Sequence, residues 1–251
     1  PTYFASDVAY HRHKLGRGFS KLINVWGADH HGYVKRVEAG LEALGYPKGT
    51  LEVVLGQLVN LYRGGTPVRM SKRTGDMVTL EELVEEVGAD SVRFFFLMRS
   101  TDSPLDFDID LAKKRSDENP VFYVQYAHAR ISSIIRFAED QGKGLKDSAT
   151  VDLTLLKADS ERALVRRLAA FEDLIETAAS KRAPHLLTQY ARELATAFHL
   201  FYHECRVVGN ADQADASGAS LDAARLYLVT CVRSVIANAC NLLGISAPEK
   251  M

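Results

Sequence analysis

A chain of 251 residues, 47% hydrophobic and 25% charged, has the composition of a globular protein and the length for one large or two ordinary domains. Its net charge of −1 gives no bulk basic signal, so a polyanionic partner would have to be met by a local patch. Cys205, Cys231 and Cys240 are odd in number and widely spaced, which excludes a simple disulfide framework and reads as reduced thiols in a cytoplasmic protein.

No apolar run is read as reaching the roughly 20 residues of a bilayer span, no signal peptide opens the chain, and no membrane partner is expected. Pro1 stands first without a methionine, an indication that the sequence starts part-way through something longer. Thr2-Tyr3-Phe4 is a short β-type run, and Ser6 or Asp7 can cap a helix over residues 7–15. Asp7, Tyr10 and His11 then share one face at i, i+3 and i+4; a plain N-cap is the simpler use of Asp7. Residues 22–27 (Leu-Ile-Asn-Val-Trp-Gly) form a buried strand, residues 28–32 (Ala-Asp-His-His-Gly) a polar turn, residues 33–44 an amphipathic helix, and residues 51–55 a second strand. Strand, polar turn, helix, strand is the order of a parallel α/β sheet, where ligands bind in the turn at the carboxyl end of a strand. Asp29, His30 and His31 lie in that turn; without a distant third ligand, adjacent histidines do not argue for a metal.

Residues 64–75 (Gly-Gly-Thr-Pro-Val-Arg-Met-Ser-Lys-Arg-Thr-Gly) read as a loop, punctuated by glycines and by Pro67. Arg69, Lys72 and Arg73 around the Ser71 hydroxyl suit a polyphosphate, although a solvated basic turn would look the same by composition. The Gly-Lys-Ser/Thr order of a Walker A loop is missing. Helices follow over residues 81–87, closed by Gly88, and 91–98, capped by Asp90, whose Phe94-Phe95-Phe96 run must be largely buried. Residues 103–108 form a turn and a short extended piece.

From there the pattern is helical only. Asn119-Pro120 is an N-cap with proline at the first helical position, opening a helix to about residue 139. Val124, Ala127, Ile131, Ile134 and Ala138 make its core stripe, and Asn119, Tyr123, Tyr126 and Arg130 an adjoining face. Residues 142–150 are a polar linker, and amphipathic segments cover 160–178, 185–207 and 221–243. The small-residue stretch 209–220 is expected to be a mobile loop. Tyr123 and Tyr126 beside Arg130 suit stacking on unpaired bases, although aromatics on a helix are more often core. His199 and His203 stand at i, i+4, but no glutamate directly follows the first histidine as a zinc-protease helix requires.

Several ordered stretches together resemble bacterial arginyl-tRNA synthetases of class I. They are residues 2–11 (Thr-Tyr-Phe-Ala-Ser-Asp-Val-Ala-Tyr-His), 25–33 (Val-Trp-Gly-Ala-Asp-His-His-Gly-Tyr), 69–73 (Arg-Met-Ser-Lys-Arg, akin to the Lys-Met-Ser-Lys-Ser signature), 119–130 (Asn-Pro-Val-Phe-Tyr-Val-Gln-Tyr-Ala-His-Ala-Arg) and 243–251. Arg69 stands where that class usually has lysine. The family's N-terminal part, with the His-Ile-Gly-His-type signature, is not among these residues.

The resemblance implies an α/β remnant over residues 1–114, the C-terminal half of a Rossmann-like catalytic domain. An all-α anticodon-binding helical bundle follows over residues 115–251, making the chain mainly helical overall. It implies an arginine–tRNA ligase, present as a C-terminal fragment inactive by itself, with tRNA-Arg, L-arginine and ATP as partners. ATP would bring Mg²⁺, with no protein-bound metal, and the protein would be a cytoplasmic monomer. Tyr3 and Asp7 would bind the arginine side chain, with His30 or Asp29 closing over it. Arg69, Ser71 and Lys72 would be the catalytic loop, with Met70 and Lys72 at ATP. Asn119, Tyr123, Gln125, Tyr126 and Arg130 would meet the tRNA. The other reading is a non-catalytic tRNA-binding module that keeps a vestigial half-site.

Overall fold

The computed structural model describes residues 3–68, 78–209 and 220–251. In chain order its elements are helix α1 (Tyr3–Gly16), strand β1 (Leu22–Gly27), a 3₁₀ turn (Ala28–Tyr33), α2 (Val34–Ala43), β2 (Leu51–Gly56), β3 (Val59–Arg63), β4 (Thr66–Pro67), α3 (Leu80–Val87) and α4 (Ala89–Leu97). There follow β5 (Leu105–Asp108), α5 (Ile109–Lys113), α6 (Pro120–Asp140), α7 (Asp159–Ala169), α8 (Phe171–Ser180), α9 (His185–Glu204) and α10 (Leu221–Leu243). The chain divides into two compact units, residues 1–61 with 99–107, and residues 62–98 with 108–251.

In the first unit β1 and β2 pair in parallel, with Leu22 opposite Leu51 and Gly27 opposite Gly56. A parallel pair needs a crossover, and the 3₁₀ turn with α2 supplies it. Leu22, Val37, Leu41 and Leu51 form the core, with Phe4, Trp26 and Tyr33 packed against it. Helix α1 crosses α2 at Gly40, where an added Cβ would stand 3.0 Å from a Val8 methyl carbon and 3.3 Å from the Phe4 ring. The opposite face of β1 is bare, with Ile23 47% and Val25 75% exposed.

Two expectations are corrected at this end of the chain. Tyr3 and Phe4 open α1 rather than forming a strand. Asp7 is therefore inside the helix and is no N-cap. The β preference of Tyr and Phe is a weak prior, and the packing of Phe4 on α2 overrides it.

In the second unit β3 and β4 form a hairpin, with Tyr62 opposite Pro67 and Arg63 opposite Thr66. Gly64 (φ 56°) and Gly65 (φ 73°) make its two-residue turn, which needs positive φ at both places. Thr66-Pro67, read as loop, is thus a short edge strand, where proline is tolerated. The Gly64 N–H donates to the Asp110 carboxylate at 2.6 Å. Glu86 holds Arg63 at 2.8 Å and Lys113 at 2.5 Å, and these two cations, Lys113 first, lower its pKa. Helix α3 opens on a capping box between Thr79 and Glu82.

The bundle is built from α6, α7, α9 and α10, with α8 lying on α9. Val124, Ala127, Ile131, Ile134 and Ala138 are all buried, as are Phe198, Phe201 and Ile236 of the same unit. The segment expected to be one helix over 160–178 is two, α7 and α8, broken at Ala170. Helix α10 is long and apolar enough, by length and composition, to cross a membrane, which corrects the reading of the sequence. Its Leu226, Val229, Val232, Ile236 and Leu243 are buried, and it packs on α6, α7 and α9.

Candidate functional site

In the first unit, Tyr3, Phe4, Asp7, Trp26, His30 and Tyr33 line a pocket of about 680 Å³, with Arg36 on its wall. It lies where β1 runs out into the 3₁₀ turn, the usual ligand position in parallel sheets. Tyr3 and Asp7 come from α1 one turn apart, so a single helix presents both. Tyr3 is 95% exposed and stands at the rim. The Asp7 side chain is about one-third exposed, with its Oδ1 3.4 Å from Nδ1 of His11.

Asp29 does not line the pocket. Its carboxylate sits 3.6 Å from the His30 ring and folds back over Gly27, where an added Cβ would be 2.5 Å from Oδ1. A side chain at Gly27 would therefore have to displace the exposed Asp29 carboxylate. Trp26, Tyr33 and Arg36 were not foreseen as pocket residues. The available signal was position, since Trp26 closes β1 and the other two open the crossover helix. Arg69, Met70, Ser71 and Lys72 lie outside the described residues, between the β3–β4 hairpin and the Thr79 cap.

In the second unit, an aromatic cluster covers one side of α6 and α9. Phe122 stacks on Tyr126 at 6.1 Å and an interplanar angle of 9°. His199 lies 4.8 Å from Tyr123 and 6.0 Å from Tyr126, ring centroid to centroid. Arg130 stands 4.7 Å over the Tyr202 ring and donates to Tyr126 Oη at 3.1 Å and Tyr202 Oη at 3.3 Å. The Tyr202 bond comes first among the influences that raise the Arg130 pKa. Tyr126 and Arg130 also line a cavity of about 990 Å³, together with Tyr202, Arg206, Lys250 and Met251. Its rim therefore presents cations beside exposed aromatic faces, a combination suited to stacked bases and phosphates.

Asn119 is the N-cap that the sequence predicts, and its amide and that of Gln125 both bond within the fold. Asn119 is 3% exposed; its carbonyl oxygen caps Val121 N–H while its amide donates to the carbonyls of Ala112 and Lys114. Gln125 is 9% exposed and donates to Asp90 at 2.8 Å and to the Ser246 carbonyl at 3.0 Å. Both amide nitrogens thus donate inside the fold. The reason is their helix face, which turns toward α5 and the C-terminal tail. His199, weighed as half of an i, i+4 metal pair, instead packs among tyrosine rings, and Tyr202 was missed altogether.

One unit thus holds a pocket at the end of a parallel strand, and the other a helical bundle with an aromatic, basic face. The family described as the DALR anticodon binding domain matches residues 124–251, and the chain belongs to it. Along its entire length it is 56% identical to the arginine–tRNA ligase of Desulforudis audaxviator and 53% identical to that of Desulforamulus reducens. It spans 44% of the length of each of these relatives. Among solved structures, a Campylobacter jejuni chain provisionally assigned as an arginyl-tRNA synthetase matches with a TM-score of 0.87 and 37% identity, covering 100% of this chain and 52% of that one.

Proposed function

We propose that the chain supplies the arginine pocket, the phosphate-facing loop and the anticodon-facing bundle of an arginine–tRNA ligase. In that reaction the arginine α-carboxylate attacks the α-phosphorus of ATP and pyrophosphate leaves. A terminal ribose hydroxyl of tRNA-Arg then takes the arginyl group and AMP departs. The observation that carries the reading is the convergence of Tyr3, Asp7 and His30 on one pocket. A carboxylate at a partly desolvated wall is the group that recognises a guanidinium, and Arg36 gives the same pocket a cation for the opposite end of a zwitterion.

Lys72, with Arg69 and Ser71, would stabilise charge growing on the departing phosphates, Met70 would lie near adenine, and Mg²⁺ would arrive with ATP. Tyr123, Tyr126 and Arg130 would meet the tRNA, and Tyr202 joins them through its bond to Arg130. Residues 1–114 would belong with the catalytic body and 115–251 with the tRNA-binding body. The chain turns extended at Lys114 and α6 opens at its Asn119 cap, which supports that boundary. The setting would be the cytoplasm, and the working unit a monomer.

The test is arginine-dependent ATP–pyrophosphate exchange and tRNA-Arg charging by the complete polypeptide that carries this chain. Binding of tRNA-Arg without exchange or charging would favour the non-catalytic module instead.

A further inference from the structure

His11 is the buried residue of α1, 1% exposed, at a place where a helix packed on a sheet ordinarily presents an apolar side chain. Its Nδ1 is 2.7 Å from the backbone carbonyl oxygen of Asp7 and 3.4 Å from Oδ1 of the Asp7 carboxylate. Its Nε2 is 2.7 Å from the amide nitrogen of Asn24, in the middle of β1 and 8% exposed. An amide nitrogen only donates, so Nε2 accepts and the ring proton sits on Nδ1, facing Asp7. The order is therefore Asn24 amide to His11 ring to Asp7, running from the strand, through the core, to the wall of the pocket.

A buried polar pair of this kind costs more than two apolar side chains of the same shape, and replacing such pairs with apolar residues is often neutral for stability or better. Docking α1 on β1 does not require it, because Phe4 and Leu15 already pack on the core there. What an apolar pair would lack is the ring N–H that donates to the Asp7 backbone carbonyl and stands 3.4 Å from the Asp7 carboxylate. Without it, a one-third-exposed carboxylate on a helix surface is free to rotate toward water.

We propose that His11, held in its tautomer by Asn24, is a positioning residue that orients the Asp7 carboxylate for a guanidinium ligand. This rests on the reading of the pocket given under Proposed function. The ring holds the turn of α1 that carries Asp7 through its backbone carbonyl and keeps a polarised N–H 3.4 Å from Oδ1, so the ligand meets a carboxylate biased toward one rotamer. The consequence is selectivity for charge. A cationic side chain gains from the fixed carboxylate, while a neutral isostere of the same shape gains little.

The experiment uses the complete ligase and calorimetric titration with L-arginine and with L-citrulline, which carries a neutral ureido group in place of guanidinium. In the double variant His11→Leu, Asn24→Leu we expect circular dichroism and melting close to the parent. Arginine affinity should fall about tenfold. Citrulline affinity and the KM for ATP should not move. His11→Gln keeps a donor and an acceptor and should recover most of the arginine-to-citrulline ratio.

Asp7→Asn is titrated alongside. If it binds arginine as the parent does, the reading of the pocket falls and takes this proposal with it. If it loses arginine while the double leucine variant keeps the parent ratio, the pocket stands and the positioning role of His11 is overturned. Should the double variant not fold, Asn24→Ala read by the same ratio decides, and an unchanged ratio rejects the proposal.

Discussion

Lys72 lies between two anchored ends. On one side, the β3–β4 hairpin is tied to Asp110 through Gly64 and to Glu86 through Arg63; on the other, the Thr79–Glu82 capping box fixes the start of α3. Under the proposed function the Lys72 cation meets charge that appears only during reaction. In the complete ligase, Lys72→Ala should therefore slow adenylate formation by about a hundredfold, the loss of one donor to developing charge at about 3 kcal/mol. Arginine affinity should change little. Pre-steady-state kinetics with a normal chemical step and an altered arginine constant would remove Lys72 from this role. Tyr126 is proposed above to meet the tRNA. It is 38% exposed, stacked on Phe122 and bonded to Arg130. Tyr126→Ala should weaken tRNA-Arg binding by about 1–3 kcal/mol if one base stacks there, with α6 keeping its helicity. A lowered melting temperature with unchanged tRNA affinity would make the ring part of the scaffold only.

Among the elements, α7 and α10 are joined by the pair Glu161–Arg225, at 2.6 Å with side chains 1% and 12% exposed. Glu161 also accepts from Ala158 N–H at the start of α7. Glu161→Ala leaves a buried guanidinium without its carboxylate, which typically costs about 3–5 kcal/mol, whereas an apolar replacement of both partners should recover most of it. Urea denaturation of the two variants checks this. Helix α9 offers a pH test through His199. Burial is the larger influence and lowers its pKa; the Tyr123 carbonyl acts the other way, and Arg130 adds to the lowering. The unfolded chain then takes up a proton before the folded one as pH falls past 6.5, so this residue subtracts stability on the acid side until the folded ring also protonates. His199→Phe, among the rings of Tyr123, Tyr126 and Phe198, should flatten the fall in melting temperature between pH 7.5 and pH 5.5, and an unchanged slope would clear His199 of it. Periodicity made α2, α6 and α10 legible because each has an apolar stripe and, in α6, an Asn-Pro start. It could not show the break at Ala170, where the stripe runs on through α7 into α8. Nor could it turn Tyr3 and Phe4 from strand to helix, since only Phe4 on α2 decides that. The pocket was legible in Tyr3, Asp7 and His30 through family resemblance, but Trp26, Tyr33 and Arg36 join it by tertiary approach. Asn119 and Gln125 looked like surface readers because a helical face does not say which neighbour covers it.

At the scale of the molecule, the two units should behave differently when residues 1–251 are made as a polypeptide by themselves. The bundle of α6, α7, α9 and α10 closes a core containing Ile131, Leu164, Phe198 and Ile236, all 0% exposed, so it carries its own driving force for folding. The first unit does not enclose its sheet to the same degree. Its parallel pair β1–β2 has α1 and α2 against one side, while Ile23 and Val25 on the other side of β1 face solvent. Parallel sheets are normally covered on both faces, so this unit should be the less stable of the two. Among the described residues that line the pocket holding Asp7, Arg36 is the one arginine or lysine, and the proposed reading gives it to the arginine carboxylate. Orientation of reactants is worth about 7–11 kcal/mol of a barrier in favourable cases, and a single wall does not supply it. The 251-residue polypeptide should therefore show cooperative unfolding of its helical signal, bind tRNA-Arg weakly, and give no measurable ATP–pyrophosphate exchange with arginine and tRNA. Exchange at a rate near that of the complete ligase would mean that the described pocket and Lys72 suffice for the chemistry, and that no group outside these 251 residues is needed to orient ATP.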